Sequence, residues 1–255
     1  MSPSEFCKKV VSAYEKRLGI FSNLVNAEDH IPNNASDLEK ALFLFYVIQL
    51  DYATKSQKLY EGAKRLYSED KNYFSPSFIL KTKEKDLLKV LQDYLKPRYI
   101  NEATKRFYLN SEKIEKQYEA DPREIFKGSK TAKEALIKVR EFRGFGPKIG
   151  NFFVRSMINS FGYEYIDIED ILPPVDVHDV RIAYLMGYTD SNQMTQKNIR
   201  DVKEVWSEGC KKGKVSWLVF DKALWLLGSE GKPKTKQDIL NLVGLPGIEP
   251  GTSPM

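Results

Sequence analysis

The sequence predicts an all-α fold from two observations. Apolar residues recur at three- and four-residue steps along nearly the whole chain, which is the spacing of one helix face. Runs that alternate apolar with polar residues, as a half-buried strand would, are scarce. At 255 residues the chain can bury a full core, as one compact unit or as two small domains.

Taken in order, the elements follow from local pattern. The start, MSPSEFCKKVV, lacks the uncharged apolar core and the small-residue cleavage site of a secretory signal. Residues 41–67, ALFLFYVIQLDYATKSQKLYEGAKRLY, read as one long amphipathic helix or a pair of them, with Gln49 closing an apolar run. That run, Ala41 to Ile48, falls far short of the ~20 residues that cross a bilayer. Residues 95–129 interleave Arg98, Lys105 and Arg106 with Tyr99, Phe107 and Tyr108. Such mixing suits a nucleic-acid surface, but on helices it more often reports one buried and one wet face, and that reading is preferred here. Asp121-Pro122 and Gly128-Ser129 punctuate the segment.

Residues 131–142, TAKEALIKVREF, place Ala132, Ala135, Leu136, Val139 and Phe142 on one face of a helix. Gly144 and Gly146 then flank Phe145 where the backbone must turn and leave its N–H groups open. Pro147 suits the first turn of a second helix, whose inward stripe runs Ile149, Phe152, Phe153 and Met157. Open amides beside a helix N-terminus bind anions, phosphate above all. Lys138, Arg140, Arg143, Lys148 and Arg155 crowd the same stretch, as backbone-phosphate contact requires. The plain alternative is an αα-hairpin whose glycines serve only the turn. Further on, Asp176 stands where an N-cap would open the helical run VHDVRIAYLM, residues 177–186. WLVFDKALWLLGSEGKPK, 217–234, carries a last strongly apolar helix, and GLPGIEPGTSPM, 244–255, reads as a loose tail.

The run Phe142-Arg143-Gly144-Phe145-Gly146-Pro147-Lys148-Ile149-Gly150, followed by Pro174-Val175-Asp176-Val177-His178, resembles the helix-hairpin-helix DNA glycosylase superfamily. This is the family of endonuclease III and the 8-oxoguanine DNA glycosylases. The resemblance implies two helical lobes with an active-site cleft between them: 1–39 with 177–243 as the terminal lobe, and 40–176 as the central one. It implies Lys148 as an amine nucleophile and Asp176 as the acid of the pair. Arg143, Gly144, Phe145 and Gly146 would hold DNA phosphate. Gln49 would enter the duplex where the base has left, and His178 would contact phosphate or simply pack. The Val-Asp-Val-His form looks most like the 8-oxoguanine enzymes, with oxidised pyrimidines as the next substrates.

The chemistry explains why such a pair is needed. A primary amine attacks the sugar C1′ only when unprotonated, whereas a free lysine of pKa ~10.4 is charged at neutral pH. Desolvation, nearby cations such as Arg143 and Arg155, and a helix N-terminus would favour the neutral amine. After base loss the amine forms a Schiff base, and proton abstraction from C2′ breaks the 3′ phosphate by elimination. A nearby carboxylate steadies the oxocarbenium-like charge or relays protons. Two alternatives are a non-catalytic, structure-specific DNA-binding module and a glycosylase that uses water as its nucleophile.

Asp176 follows Lys148 by 28 residues, more than in the familiar members, and the excess lies around FGYEYIDIEDILPP, 161–174. After a helix resembling that of 217–229, the endonuclease III branch carries four cysteines for an iron-sulfur cluster. This chain has only Cys7 and Cys210, so no four-thiolate cluster forms and no cofactor is expected. The resemblance does allow a monovalent cation on the hairpin carbonyls. The partner implied is double-stranded DNA with a damaged base, bound by a monomer, with no membrane involved. Forty basic against thirty-five acidic residues, a net +5, suit a polyanion without identifying one. Two cysteines and no signal suggest a reduced intracellular protein, in cytoplasm, nucleoid or nucleus.

Overall fold

A computed structural model describes residues 1–22, 26–52, 54–168, 171 and 175–244. Those residues form thirteen α-helices, short 3-10 turns and one π turn, with no strand among them, so the all-α expectation holds. The helices are α1 (Pro3–Glu15), α2 (Asp37–Ile48), α3 (Ser56–Asp70), α4 (Pro76–Lys81), α5 (Glu84–Val90), α6 (Ile100–Tyr118) and α7 (Arg123–Lys127). They continue as α8 (Ala132–Arg140), α9 (Pro147–Phe161), α10 (Val177–Met186), α11 (Gln196–Gly213), α12 (Trp217–Ser229) and α13 (Lys236–Leu242). Among the described residues no helix is long and apolar enough to cross a membrane.

The chain divides into two compact units, Val25–Ile171 and a unit made of Met1–Leu24 with Leu172–Met255. The expected break after residue 39 therefore moves back to 24. The reason is the 3-10 turn Ala27–His30, which packs on α2, α3 and α9, with the His30 ring 5.4 Å from that of Tyr60. The expected break after 176 moves to 171, so Asp176 belongs with the terminal segments. Of the expected tail, 245–255 lie outside the described residues, as do Pro173 and Pro174 before the aspartate.

In the Val25–Ile171 unit, residues 41–67 form a pair of helices rather than one, broken after Gln49. A capping box opens α2: Ser36 Oγ accepts from the Glu39 amide and Glu39 accepts from the Ser36 amide. All eight residues from Ala41 to Ile48 are buried, so α2 is the unit's central rod. Each large side chain there contributes roughly 1.5–3 kcal/mol of burial. Phe45 lies at the centre of an aromatic cluster with Phe142, Phe145 and Phe153, at centroid distances of 5.2, 5.4 and 5.8 Å. Along α6, Ala103, Thr104, Phe107, Asn110, Ser111 and Ile114 make the single buried face that the spacing predicts.

In the terminal unit, α1 packs against α11 and α12, while α10 packs against α11, α12 and α13. Phe6, Tyr188, Trp206 and Phe220 form its ring cluster, with Phe6 and Trp206 5.7 Å apart.

Candidate functional site

The hairpin is built by α8 and α9. Thr131 caps α8 by accepting from the Glu134 amide, and the turn closes where the Phe145 amide donates to the Phe142 carbonyl. Gly144 adopts φ +93°, in the left-handed region that favours glycine, and a methyl group there would lie 3.0–3.2 Å from the Arg106 side chain. Gly150 lets α8 and α9 approach closely: its missing Cβ would meet Arg140 at 3.1 Å and the Phe145 carbonyl at 3.2 Å. Gly146, the N-cap of α9, differs from both. Its φ is −66° and the space in front of it is open.

Three features make the start of α9 suited to an anion. The N-cap is a glycine, which offers no side-chain acceptor to the first-turn amides. The turn opens a helix of fifteen residues, so its end carries the partial positive charge of the helix dipole. Lys148, second residue of the helix, is exposed.

A buried scaffold braces the turn from behind, and periodicity in the sequence did not reveal it. Asn110 of α6 donates to the Arg143 carbonyl and accepts from the Arg143 amide, at 2.8 and 2.9 Å. The same amide group of Asn110 donates to Gln49 Oε1 at 2.8 Å. Arg106 donates to the Gln49 carbonyl at 2.9 Å. The only sequence signal was a polar residue, Asn110, in register with the apolar face of α6.

Three expected contact residues have other partners within the unit. Gln49 is wholly buried. Its side chain is bonded to Asn110 and, at 3.4 Å, to the Phe45 carbonyl, so it anchors the hairpin and does not reach outward. Phe145 is only 1% exposed and stacks on Phe45, leaving its backbone alone to meet a ligand. Arg143 is exposed, yet both its Nε and an Nη donate to Glu102, at 2.7 and 2.9 Å. Arg143 and Arg106 in turn hold the Glu102 carboxyl below the usual carboxylate range. A phosphate on Arg143 would replace or share that carboxylate.

Asp176 is the N-cap of α10. Its Oδ1 accepts from the amides of His178 at 2.7 Å and Asp179 at 3.3 Å, and Asp179 accepts from the Asp176 amide at 2.6 Å. The carboxylate is therefore rigidly aimed by a reciprocal capping box. His178 packs on α12: a Cβ at Gly228 would lie 2.5 Å from its own, and its ring lies 6.5 Å from that of Trp225. Arg181 donates to the Gly228 carbonyl beside it. Gln49, Arg143, the two glycines, Phe145 and Lys148 thus belong to one unit, and Asp176 and His178 to the other.

The described part of the 161–174 segment is packed on the far end of α8 from the turn. Tyr163 stacks on Phe126 at 5.2 Å, Tyr165 donates to the Phe126 carbonyl at 2.8 Å, and Asp167 accepts from the Ala132 and Lys133 amides. Among the described residues no group of three His, Cys, Asp or Glu side chains is arranged to hold a metal. A monovalent cation at the turn would need its carbonyls, and those of Phe142, Arg143 and Gly146 each already accept one hydrogen bond. No protein-family model matches the chain, and no curated protein matches it.

Proposed function

We propose that this chain is a DNA glycosylase with an associated lyase step, acting on an oxidised base in duplex DNA. The observation that carries the proposal is the start of α9. There a glycine N-cap, open space in front of it and an exposed lysine residue share one turn. Such a turn suits a backbone phosphate, and Lys148 would then stand near the sugar beside that phosphate. Lys148 would attack C1′ as the base leaves, carry the sugar as a Schiff base, and release the 3′ phosphate after C2′ loses its proton. The resemblance would give Asp176, held by its capping box, the role of offsetting the developing positive charge at the sugar. The base must leave the stack first, at a cost of a few kcal/mol. Since Gln49 is buried, another side chain would fill the gap.

The test is borohydride trapping on duplexes carrying 8-oxoguanine, thymine glycol, uracil or an abasic site, with wild type against Lys148→Ala. A covalent adduct that needs both a lesion and Lys148 is expected, with 8-oxoguanine trapped best. DNA binding with no adduct on any duplex would reject the lyase step. Base release would then separate a water-using glycosylase from a passive binder.

A further inference from the structure

The turn that follows α2 and the turn that precedes α6 line one shallow pocket. Leu50 and Tyr52 come from the first, Pro97, Arg98 and Tyr99 from the second, and Arg106 of α6 lies beside them. Its floor has room for about one water, so a larger ligand lies across the mouth.

Both turns are fixed from behind. The amides of Leu50, Asp51 and Tyr52 donate to the carbonyls of Val47, Ile48 and Leu50. The Asp51 carboxylate accepts from Ser56 Oγ at 2.7 Å and from the Tyr60 hydroxyl, which ties this turn to α3. On the other side, Lys96 ends the π turn Leu91–Leu95 in the left-handed region, at φ +46°, and Pro97 follows, so Arg98 stands outside any helix. Tyr99 is the N-cap of α6, its carbonyl accepting from the Ala103 amide at 2.9 Å.

Against this fixed backbone the two rings are left out in solvent: Tyr52 is 58% exposed and Tyr99 53%. Elsewhere in 95–129 the mixture of basic and aromatic residues resolves into buried and wet faces, with Phe107 buried and Tyr108 donating to the Thr82 carbonyl. Tyr99 departs from that pattern, and the Arg98 guanidinium lies 5.4 Å from the centre of its ring. Single exposed aromatic residues are ordinary. Two at one mouth, with a guanidinium over one ring, are the parts of a platform on which bases stack. The pocket also adjoins the hairpin. Arg106 donates to the Gln49 carbonyl, lies 3.0–3.2 Å from where a Cβ on Gly144 would be, and shares Glu102 with Arg143.

We propose that Tyr52 and Tyr99 form a stacking site for an unpaired nucleobase of DNA, with Arg98 supplying charge that draws in the strand. The proposal rests on the DNA-binding part of the function proposed above and not on the lyase step. An unpaired base offers a free π face, whereas a paired one must first leave its stack at a cost. The platform therefore distinguishes DNA with an unpaired base from DNA without one, and it does so with no lesion present.

The test is the affinity of the full chain for three lesion-free DNAs at one salt concentration, read by fluorescence anisotropy. They are a paired duplex, the same duplex with one extra unpaired base, and a single strand. Wild type should bind the duplex with the unpaired base more tightly than the paired one by on the order of tenfold. Whether the single strand shares that gain tells apart the two sources of the base. Tyr52→Ala and Tyr99→Ala should each remove most of the gain and leave binding of the paired duplex unchanged, while Tyr99→Phe, which keeps the ring, should retain it. Both rings are more than half exposed, so these variants should fold. Equal wild-type affinity for all three DNAs overturns the platform, as do alanine variants that weaken all three equally or none. A wild type that forms the borohydride adduct yet shows no preference overturns the platform alone. A wild type that binds no DNA overturns the DNA reading and the platform together.

Discussion

At Gly144 the backbone runs at φ +93° against the Arg106 side chain, while two residues later Gly146 sits at φ −66° with nothing in front of it. Alanine should therefore act in opposite ways at the two positions. Gly144→Ala forces an L side chain into the left-handed region and displaces Arg106, and we expect a loss of roughly 1–2 kcal/mol in urea unfolding. Gly146→Ala meets no atom, so stability should change by less than about 0.5 kcal/mol. DNA affinity at that variant should nonetheless fall several-fold, because the added methyl group occupies the space a phosphate would take. Unchanged affinity for Gly146→Ala would remove the start of α9 from the DNA interface. The pairing of glycines was legible in the sequence, but their different duties were not. A turn glycine and an open N-cap glycine carry the same letter, and only φ and the surrounding atoms separate them.

Helix α8 depends on a residue far along the chain. Asp167 accepts from the Ala132 amide at 2.7 Å and from the Lys133 amide at 3.1 Å, so the 161–174 segment reaches back to cap the first hairpin helix. Partial burial pushes the Asp167 carboxyl up, but the Ala132 and Lys133 amides outweigh it and leave the group below the usual carboxylate range. Asp167→Ala should cost about 1 kcal/mol, as the loss of an N-terminal acceptor does. The sign of the pH dependence follows from the lowered value. The contribution is fully present above the unfolded carboxyl value of ~3.9 and is lost as pH falls through the lower folded value. Urea midpoints of wild type and variant should therefore differ at pH 7 and converge only as the pH falls below the ordinary carboxylate range, and a gap that did not narrow in acid would argue against an ionic cap. Elements of this kind set the limit of sequence reading. The helices and their buried faces could be read from spacing, whereas a cap supplied from 35 residues away leaves no spacing to read. For the same reason the burial of Gln49, which the resemblance would send into the duplex, could not be read from the sequence. Its partner Asn110 lies 61 residues on, and nothing local says that the two meet. Phe145 was legible as apolar, but its pairing with Phe45, far earlier in the chain, was not legible.

At the scale of the whole molecule, the all-α class was readable because helical periodicity needs only neighbours in sequence. The unit boundaries were less so, since they depend on what each segment touches. The clearest case is the chain's first helix, which joins the last third of the sequence. Phe6 is completely buried, 5.7 Å from Trp206 of α11, 6.4 Å from Phe220 of α12 and 6.1 Å from Tyr188 just past α10. Truncating such a ring removes its transfer free energy and leaves a cavity that four helices cannot close, at a cost of about 3–5 kcal/mol. Phe6→Ala should therefore act far from its place in the sequence. Hydrogen exchange should quicken throughout α1, α10, α11 and α12, because those helices share one core and lose protection together when it weakens. The thermal midpoint of that unit should drop by roughly 10 °C or more, since a ΔΔG of 1 kcal/mol already moves a domain of this size by about 4–8 °C. Faster exchange confined to α1, with α11 and α12 unchanged, would mean that the N-terminal helix merely rests on the unit and that the ring cluster does not bind its two segments into one fold.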